Sequence, residues 1–187
     1  MIHPKQTARK STGGIAPSKS VTSKMEEETT LFFFGAHYMS NWYPSIFALN
    51  FDMGGIKRFT FENVEQAMMA SKAALFGDKD SFDKILKTPN PKSVKRLGRK
   101  VSNFNPEVWD KYKKHIVKTA VTAKFIFNPE LKQQLLSTGN RYLAEDSRYD
   151  KVWGIGTKSV KHKANKTWPG ENLLGVIMME VRDELRE

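Results

Sequence analysis

A carboxylate and an amine lie two helical turns apart in the segment that spans residues 61–76. Glu65 and Lys72 are seven positions apart, so a helix places them in one line on the same face. Burial beside apolar neighbours would shift the pKa of both groups toward neutrality, as a general acid and a nucleophilic amine require. The alternative is a partly solvated helix face with incidental charges. The spacing therefore predicts either an acid and amine pair or an ordinary polar stripe.

A second group of candidate residues lies in a glycine-containing segment near the carboxyl end. Asp150, Trp153 and Gly154 suit a ligand-binding loop, because an indole offers a stacking face and glycine lets backbone amides approach. A structural turn in which Trp153 fills the core is the alternative. Trp109, in the first turn of a predicted long helix, is either a core anchor or a base-stacking platform. The polar and aromatic loop at residues 39–44 is a further candidate for ligand contacts.

Common signatures of metal and nucleotide sites are missing from the sequence. It has no phosphate loop, no dinucleotide-binding glycine fingerprint, no His-Glu-x-x-His motif and no nucleophile elbow. The four histidines show no ligand spacing, and the lack of cysteine excludes disulfides and thiolate metal sites. We therefore expect neither a metal ion nor an organic cofactor.

The chain is strongly basic, with a formal net charge of +11. This charge favours an anionic partner such as a nucleotide, a pyrophosphate or a nucleic-acid backbone. A lysine-rich surface that serves only solubility is an equal alternative, because the basic residues are scattered along several segments. No apolar run is long enough to span a membrane, and the amino terminus lacks the apolar region of a secretory signal. We expect an intracellular protein, cytoplasmic or nuclear, with no membrane partner.

The periodicity of apolar residues predicts an α+β fold for residues 30–187: one mostly helical domain with a small β-sheet. Residues 1–29 contain no aromatic side chain and are rich in Lys, Ser, Thr, Gly and Pro, which indicates a disordered basic tail. The predicted strands are 31–37, 46–51, 56–61 and 141–145; the predicted helices are 61–76, 80–86, 91–100, 105–127, 129–136 and 172–186; and residues 146–169 are predicted to be irregular.

Taken together and in order, these clusters resemble the NADAR (YbiA-like) domain family over almost the whole predicted domain. The matching positions are Phe34, Ser40, Asn41, Pro44, Val64, Glu65, Lys72, Ala73, 97–99, Trp109, Lys124, Phe125, Thr138, Gly139, Asp150, Trp153, Gly154, Gly156, Gly170, 172–175 and Arg182. One departure lies in the central helix. Family members commonly have His-Tyr-Phe-Gln after the glutamate, whereas residues 66–69 here are Gln-Ala-Met-Met. The departure touches the expected base pocket, so the resemblance leaves the identity of the leaving base open.

The resemblance implies cleavage of an N-glycosidic bond at ribose C1. Two substrate classes are associated with such domains: ADP-ribose attached to guanine in nucleic acid or nucleotides, and phosphoribosyl-aminopyrimidine intermediates of riboflavin synthesis. The basic charge and the lack of a fused riboflavin-synthesis domain favour ADP-ribosylated guanine. A binding module without catalysis is the alternative from another class, and the presence of Glu65, Lys72 and Asp150 together argues against it.

The same resemblance implies roles for individual residues. Glu65 is the expected general acid/base that protonates the leaving base. The ribose is then attacked by water, with Asp150 orienting the water or the ribose hydroxyls, or it opens to a Schiff base on Lys72. The lysine route is favoured, because the family motif pairs this glutamate and lysine, and Lys124 is the second candidate amine. The expected substrate-binding residues are Phe34, Ser40, Asn41, Arg99 (on phosphate), Trp109, Trp153 and Gly154.

The tail contains a run that is similar to another known sequence. Residues 5–14 match part of the amino-terminal tail of the third core histone, and Ala16, Pro17 and Lys19 continue the match. One interpretation is mimicry, in which a chromatin reader binds residues 5–19 through Lys10 and its neighbours; the other is an unselected flexible leader. Four residues precede the match, so readers that need a free histone terminus should fail to bind.

Overall fold

A computed structural model of the chain describes residues 29–52 and 54–187. The predicted tail and its histone-like run therefore lie outside the described residues, apart from Thr29. The elements, in chain order, are β1 (Thr30–Phe33), β2 (Phe47–Asp52), β3 (Ile56–Phe61), α1 (Val64–Leu75), α2 (Lys79–Leu86), α3 (Pro91–Gly98), α4 (Pro106–Phe127), α5 (Pro129–Leu136), β4 (Tyr142–Glu145), α6 (Val160–Ala164) and α7 (Leu173–Glu184). This arrangement confirms the predicted α+β class with a helical majority.

The strands form two separate two-stranded sheets instead of the one small sheet that the sequence predicts. β2 and β3 make the predicted hairpin, with Phe47 opposite Phe61 in antiparallel register. β1 pairs in parallel with β4, so that Leu31 lies opposite Leu143. A parallel pair requires a crossover connection, and here the hairpin and α1–α5 supply it. The pairing brings the loop after β1 and the loop after β4 to the same edge.

Helix α1 is the central element of the domain and packs against α2, α3 and α4. The Asn63 side chain accepts a hydrogen bond from the Gln66 amide, which caps the helix at its amino end. The predicted start at residue 61 is wrong, because Phe61 completes the hairpin and is fully buried there. Nearly every residue from Val64 to Ala73 is buried, including the charged Glu65. The helix therefore holds Glu65 and Gln66 inside the domain.

Two further predictions need correction. The strand predicted for residues 31–37 ends at Phe33, because Gly35 has a φ of 63° and the chain turns there. Residues 146–169, predicted to be irregular, contain the short helix α6, whose first turn is capped by Ser159. The capped start of α4 is confirmed, because the Asn105 side chain accepts hydrogen bonds from the amides of Glu107 and Val108. A proline occupies the first turn of both α4 and α5, but Asn128 makes no side-chain cap hydrogen bond to α5. Within the described part of the chain, no helix is both long and apolar enough to cross a membrane.

Candidate active site

An open cavity of about 760 Å³ lies where α1, α3 and the start of α4 meet the loops that follow β1 and β4. Seven of the residues singled out in the sequence line it: Phe34, Ser40, Glu65, Arg99, Trp109, Asp150 and Trp153. They come from separate parts of the chain, so the tertiary fold assembles them. The volume suits a ligand of nucleotide size, since small-molecule sites generally enclose about 300–1,000 Å³.

Glu65 is the most deeply buried acid of this cavity, with 3% of its surface exposed. Its backbone amide donates to the Asn41 carbonyl, and its Oε2 accepts a hydrogen bond of 3.2 Å from the Trp42 indole. Its Oε1 makes no hydrogen bond with any described residue. Burial raises the pKa of Glu65 to about 7, although Lys95 and the Trp42 hydrogen bond act in the opposite direction. Near neutral pH this carboxyl group can therefore both give and take a proton.

Glu145 is a second acid of the cavity, and the sequence analysis missed it as a functional residue. It is the last residue of β4, and its amide donates to the Asn172 side chain. Asn172 also donates to the Leu143 carbonyl, so it ties the end of β4 to the start of α7. Burial raises the pKa of Glu145 to about 8, with repulsion from Asp150 as the next cause. The available sequence signal was an acid at the end of a predicted strand, next to a candidate binding loop.

Asp150 completes a group of three carboxyl groups that line the cavity. Its Oδ1 accepts hydrogen bonds from the backbone amides of Val152 and Trp153, at 3.0 and 2.9 Å. These bonds fix the turn in which Trp153 lies and use one carboxylate oxygen. The charge of Asp150 raises the pKa of both Glu65 and Glu145. The arrangement thus places one hydrogen-bonded aspartate beside two glutamates that hold protons near neutral pH.

Lys124 supports this group from behind the cavity and does not line it. The side chain is fully buried, and its ammonium donates to the Ser40 carbonyl at 3.0 Å. The Ser40 hydroxyl in turn accepts from the amide of Trp42, whose indole binds Glu65. Burial lowers the pKa of Lys124 to about 7. Lys124 therefore holds the loop that places Trp42 against Glu65.

Lys72, the predicted Schiff-base lysine, is not among the residues that line the cavity. Its ammonium donates to the Gly98 carbonyl at 2.9 Å and lies 4.0 Å from the centre of the Phe104 ring. Burial lowers the pKa of this amine, as the sequence argument requires. The ring of Trp109, which does line the cavity, is 5.5 Å from the same ammonium. Trp109 therefore lines the cavity and also lies next to the Lys72 ammonium.

Two predicted ligand-binding residues also lie outside the lining. Asn41 is buried and contributes its backbone carbonyl to Glu65, so it positions the acid. Gly154 is buried beside Glu145: an added Cβ would lie 2.7 Å from the Ser147 side chain and 3.0 Å from the Glu145 carbonyl. Its role in this structure is close packing of the loop against β4.

The departure from the family pattern at residues 66–69 reaches the cavity at two positions. Gln66 is buried away from it, and its amide nitrogen donates to the carbonyls of Ile85, Leu86 and Thr88. Met68 and Met69, in contrast, line the cavity. Flexible thioether side chains therefore form the wall at positions where the sequence resemblance led us to expect aromatic and polar side chains.

Basic side chains of α3 and α4 lie beside the carboxyl group cluster, which consists of Glu65, Glu145 and Asp150. Lys95 and Arg99 lie one helical turn apart, and Lys113 pairs with Asp110 at 2.8 Å. The charge of Lys95 keeps the pKa of both glutamates below the values that burial alone would give. Among the described residues, no three His, Asp or Glu side chains are close enough together to hold a metal ion. The site thus offers proton-holding acids, aromatic walls and basic side chains for an anion.

Comparison with known proteins gives matches that cover between 62% and 86% of this chain. The chain is 42% identical over 172 residues to N-glycosidase R617 of Acanthamoeba polyphaga mimivirus, covering 86% of this chain and 98% of that one. It is 32% identical over 116 residues to a riboflavin biosynthesis protein of Vibrio vulnificus, covering 62% of this chain and 29% of that protein. The NMR structure of the E. coli protein YbiA superimposes with a TM-score of 0.68 at 25% identity, over 86% of each chain.

The folded region also matches the model of a known domain family. The model of the NADAR domain matches residues 32–186. This range includes the whole cavity and every helix and strand except the first two residues of β1. This extent agrees with the sequence resemblance and with the YbiA-like fold. The chain belongs to the NADAR domain family.

Proposed function

We propose that this protein is an N-glycosidase that hydrolyses the bond between ribose C1 and a base nitrogen. The observation that supports this proposal best is the pair of glutamates in one cavity, Glu65 and Glu145, with pKa values raised to about 7 and about 8. Glycosidic cleavage needs a carboxyl group that is protonated at working pH, so that it can donate to the leaving group. A module that only binds its ligand has no need for such a proton.

In the proposed reaction Glu65 is the general acid. The bond from C1 to the base nitrogen breaks, its electron pair goes to the base, and the Glu65 proton moves to the base. Positive charge that develops on the ribose is stabilised by the carboxylate of Asp150. Glu145, protonated at neutral pH, donates a hydrogen bond to a ribose hydroxyl and so fixes the sugar beside the two other acids.

Two routes complete the reaction on the sugar. In the first, water adds to C1 and its proton goes to the Glu65 carboxylate, which restores the acid. In the second, the neutral amine of Lys72 adds to C1, the bond from C1 to the ring oxygen breaks and one amine proton moves to that oxygen, which leaves a protonated Schiff base. Water then hydrolyses the Schiff base, and the proton that the lysine releases returns to Glu65. The water route uses side chains that already line the cavity. The lysine route requires Lys72 to leave the Gly98 carbonyl and pass Trp109.

For the substrate we propose ADP-ribose attached to guanine, in a nucleotide or in nucleic acid. Trp109 and Trp153 offer faces on which bases stack, and Lys95 and Arg99 suit the diphosphate of ADP-ribose. A phosphoribosyl-aminopyrimidine of riboflavin synthesis is the second candidate, because one relative is named a riboflavin biosynthesis protein. That smaller substrate would leave part of the 760 Å³ cavity unfilled.

The test offers both substrate classes to the purified chain and measures free ADP-ribose and free ribose 5-phosphate by chromatography. The Glu65→Gln variant should lose at least about a hundredfold in kcat, the usual contribution of a general acid. Glu62→Gln is the matched control, because Glu62 precedes the same helix and is exposed; it should keep the wild-type rate. Release of neither product by the wild-type chain, or full activity of folded Glu65→Gln, would refute the proposal.

Borohydride reduction during turnover separates the two sugar routes. A covalent adduct found by mass spectrometry in the wild type and absent from Lys72→Ala assigns the Schiff base to Lys72. The same adduct in both proteins points to another amine, with Lys124→Met as the next variant to examine. Turnover without any adduct assigns the water route.

A further inference from the structure

A second cavity, of about 460 Å³, adjoins the candidate active site on the outer face of α3. It is lined by Trp42, Lys92, Ser93, Lys95, Arg96 and Arg99. Four of these six side chains are cationic, and none is acidic. Trp42, Lys95 and Arg99 line both cavities. A ligand in the larger cavity that extends past these three residues therefore enters the second one.

The basic side chains follow directly from the sequence of α3. Positions 92, 95, 96 and 99 repeat at the spacing of one helix face, while Val94 and Gly98 are buried on the other face. Among the described residues, none of the four cations on this face forms an ion pair. Four like charges within two helical turns repel one another. An anion bound in this cavity would relieve that repulsion.

We infer that the second cavity is a phosphate subsite, which binds a phosphate attached to the guanosine from which ADP-ribose is removed. The inference rests on the proposed N-glycosidase function and extends it, because it assigns a role to Lys92, Ser93 and Arg96, which the reaction itself does not use. Arginine and lysine are the side chains that bind phosphate oxygens most strongly, and Ser93 adds a hydroxyl donor. Trp42 offers a partly exposed ring, 39% accessible, beside the cations. A cationic groove with an aromatic platform is the usual combination for a nucleotide and its phosphate.

The phosphate has two possible sources, which share this chemistry. It is either the 5′-phosphate of a free guanine nucleotide or a phosphodiester next to the modified residue in a strand. Both sources require the substrate to extend beyond the base and the ribose. ADP-ribosylated guanosine, which has no phosphate on the guanosine itself, would leave Lys92 and Arg96 without a ligand.

The experiment compares three substrates with the full chain: ADP-ribosylated guanosine, ADP-ribosylated guanosine 5′-monophosphate and a short single-stranded oligonucleotide with one ADP-ribosylated guanine. The variant is Lys92→Ala/Arg96→Ala, whose two positions line only the second cavity. The matched control is Lys57→Ala/Arg58→Ala on β3, which removes the same charge from exposed positions outside both cavities. The measured quantity is the ratio of kcat/KM for each phosphate-bearing substrate to kcat/KM for the nucleoside.

We expect this ratio to fall about tenfold in Lys92→Ala/Arg96→Ala and to stay at its wild-type value in the control. A fall for both phosphate-bearing substrates assigns the subsite to the 5′-phosphate, and a fall for the oligonucleotide alone assigns it to a strand phosphodiester. For the strand, the slope of log affinity against log salt should also decrease by about 0.7, the contribution of one single-strand phosphate contact. Equal ratios and slopes in the two double variants overturn the inference while the glycosidase function stands. Absence of turnover on all three substrates refutes ADP-ribosylated guanine as the substrate instead, and with it this inference.

Discussion

Replacement of Lys124 by methionine should change how the stability of this protein depends on pH. In the folded chain the amine is fully buried, and burial lowers its pKa to about 7 from an ordinary value of 10.5. Between these two values the unfolded chain binds a proton at Lys124 and the folded chain does not. The free energy of unfolding must therefore rise with pH in this window, by at most about 1.4 kcal/mol per pH unit. From pH 7 to pH 10 the gain is about 4 kcal/mol.

Methionine has a similar length and no proton to lose, so Lys124→Met lacks this contribution. The variant loses the hydrogen bond to the Ser40 carbonyl, which costs about 1 kcal/mol at every pH. The assay is urea unfolding followed by tryptophan fluorescence at several pH values from 6 to 10. The difference between wild type and variant is the informative quantity, since other titrations cancel in it. The free energy of unfolding of the wild type should increase relative to that of the variant as pH rises from 7 to 10.

Lys118→Met on the same helix serves as the control. Hydrogen bonding to Glu184 raises the pKa of Lys118 above its ordinary value. At a pH below that ordinary value, Lys118 is protonated in both the folded and the unfolded chain, so its contribution to stability does not change with pH. The difference between wild type and Lys118→Met should therefore be flat from pH 7 to 10. If the Lys124→Met difference is equally flat, the amine is not held neutral in the folded chain and the reasoning about its burial is wrong.

Three further predictions concern the carboxyl group cluster. Trp42→Phe removes a hydrogen bond that lowers the pKa of Glu65, so the alkaline limb of the rate profile should move up by about 0.7 of a pH unit, for a bond of about 1 kcal/mol. Asp150→Asn removes a charge that raises the pKa of the same acid, so this limb should move to lower pH in kcat measured across pH 5–10. Asn172→Ala loses two hydrogen bonds and should reduce the free energy of unfolding by about 3 kcal/mol in urea titration.

The two pH predictions have opposite signs, which makes them a joint test of the Glu65 assignment. Trp109→Phe is the control, because Trp109 lines the same cavity and is not among the causes of the Glu65 pKa. Its rate profile should keep the wild-type position even if the rate falls. Limbs that move in the same direction for Trp42→Phe and Asp150→Asn would show that another group limits the rate. An unchanged unfolding free energy in Asn172→Ala would contradict the role of Asn172 in fixing the end of β4.

Local signals were sufficient for much of the fold. The start of α4 could be read from a capping asparagine followed by a proline, and the start of α5 from a proline, since both signals act within one helical turn. The hairpin of β2 and β3 followed from two short β-type runs around a glycine pair. The strand predicted at residues 31–37 was too long, because apolar content alone does not reveal where a turn begins. The pairing of β1 with β4 has no local signal, because more than a hundred residues separate the strands.

For the candidate site, the sequence by itself determined which side chains were available: Glu65 at the start of a helix, Asp150 in a glycine-containing loop, and cations along one face of α3. Only the tertiary structure decided their environments. It placed Glu145 beside Glu65, bound Lys72 to Gly98 outside the cavity, and buried Lys124 behind the Trp42 loop. The physical reason is that a pKa and a contact depend on burial and on charges from distant segments, which residue type and spacing do not specify.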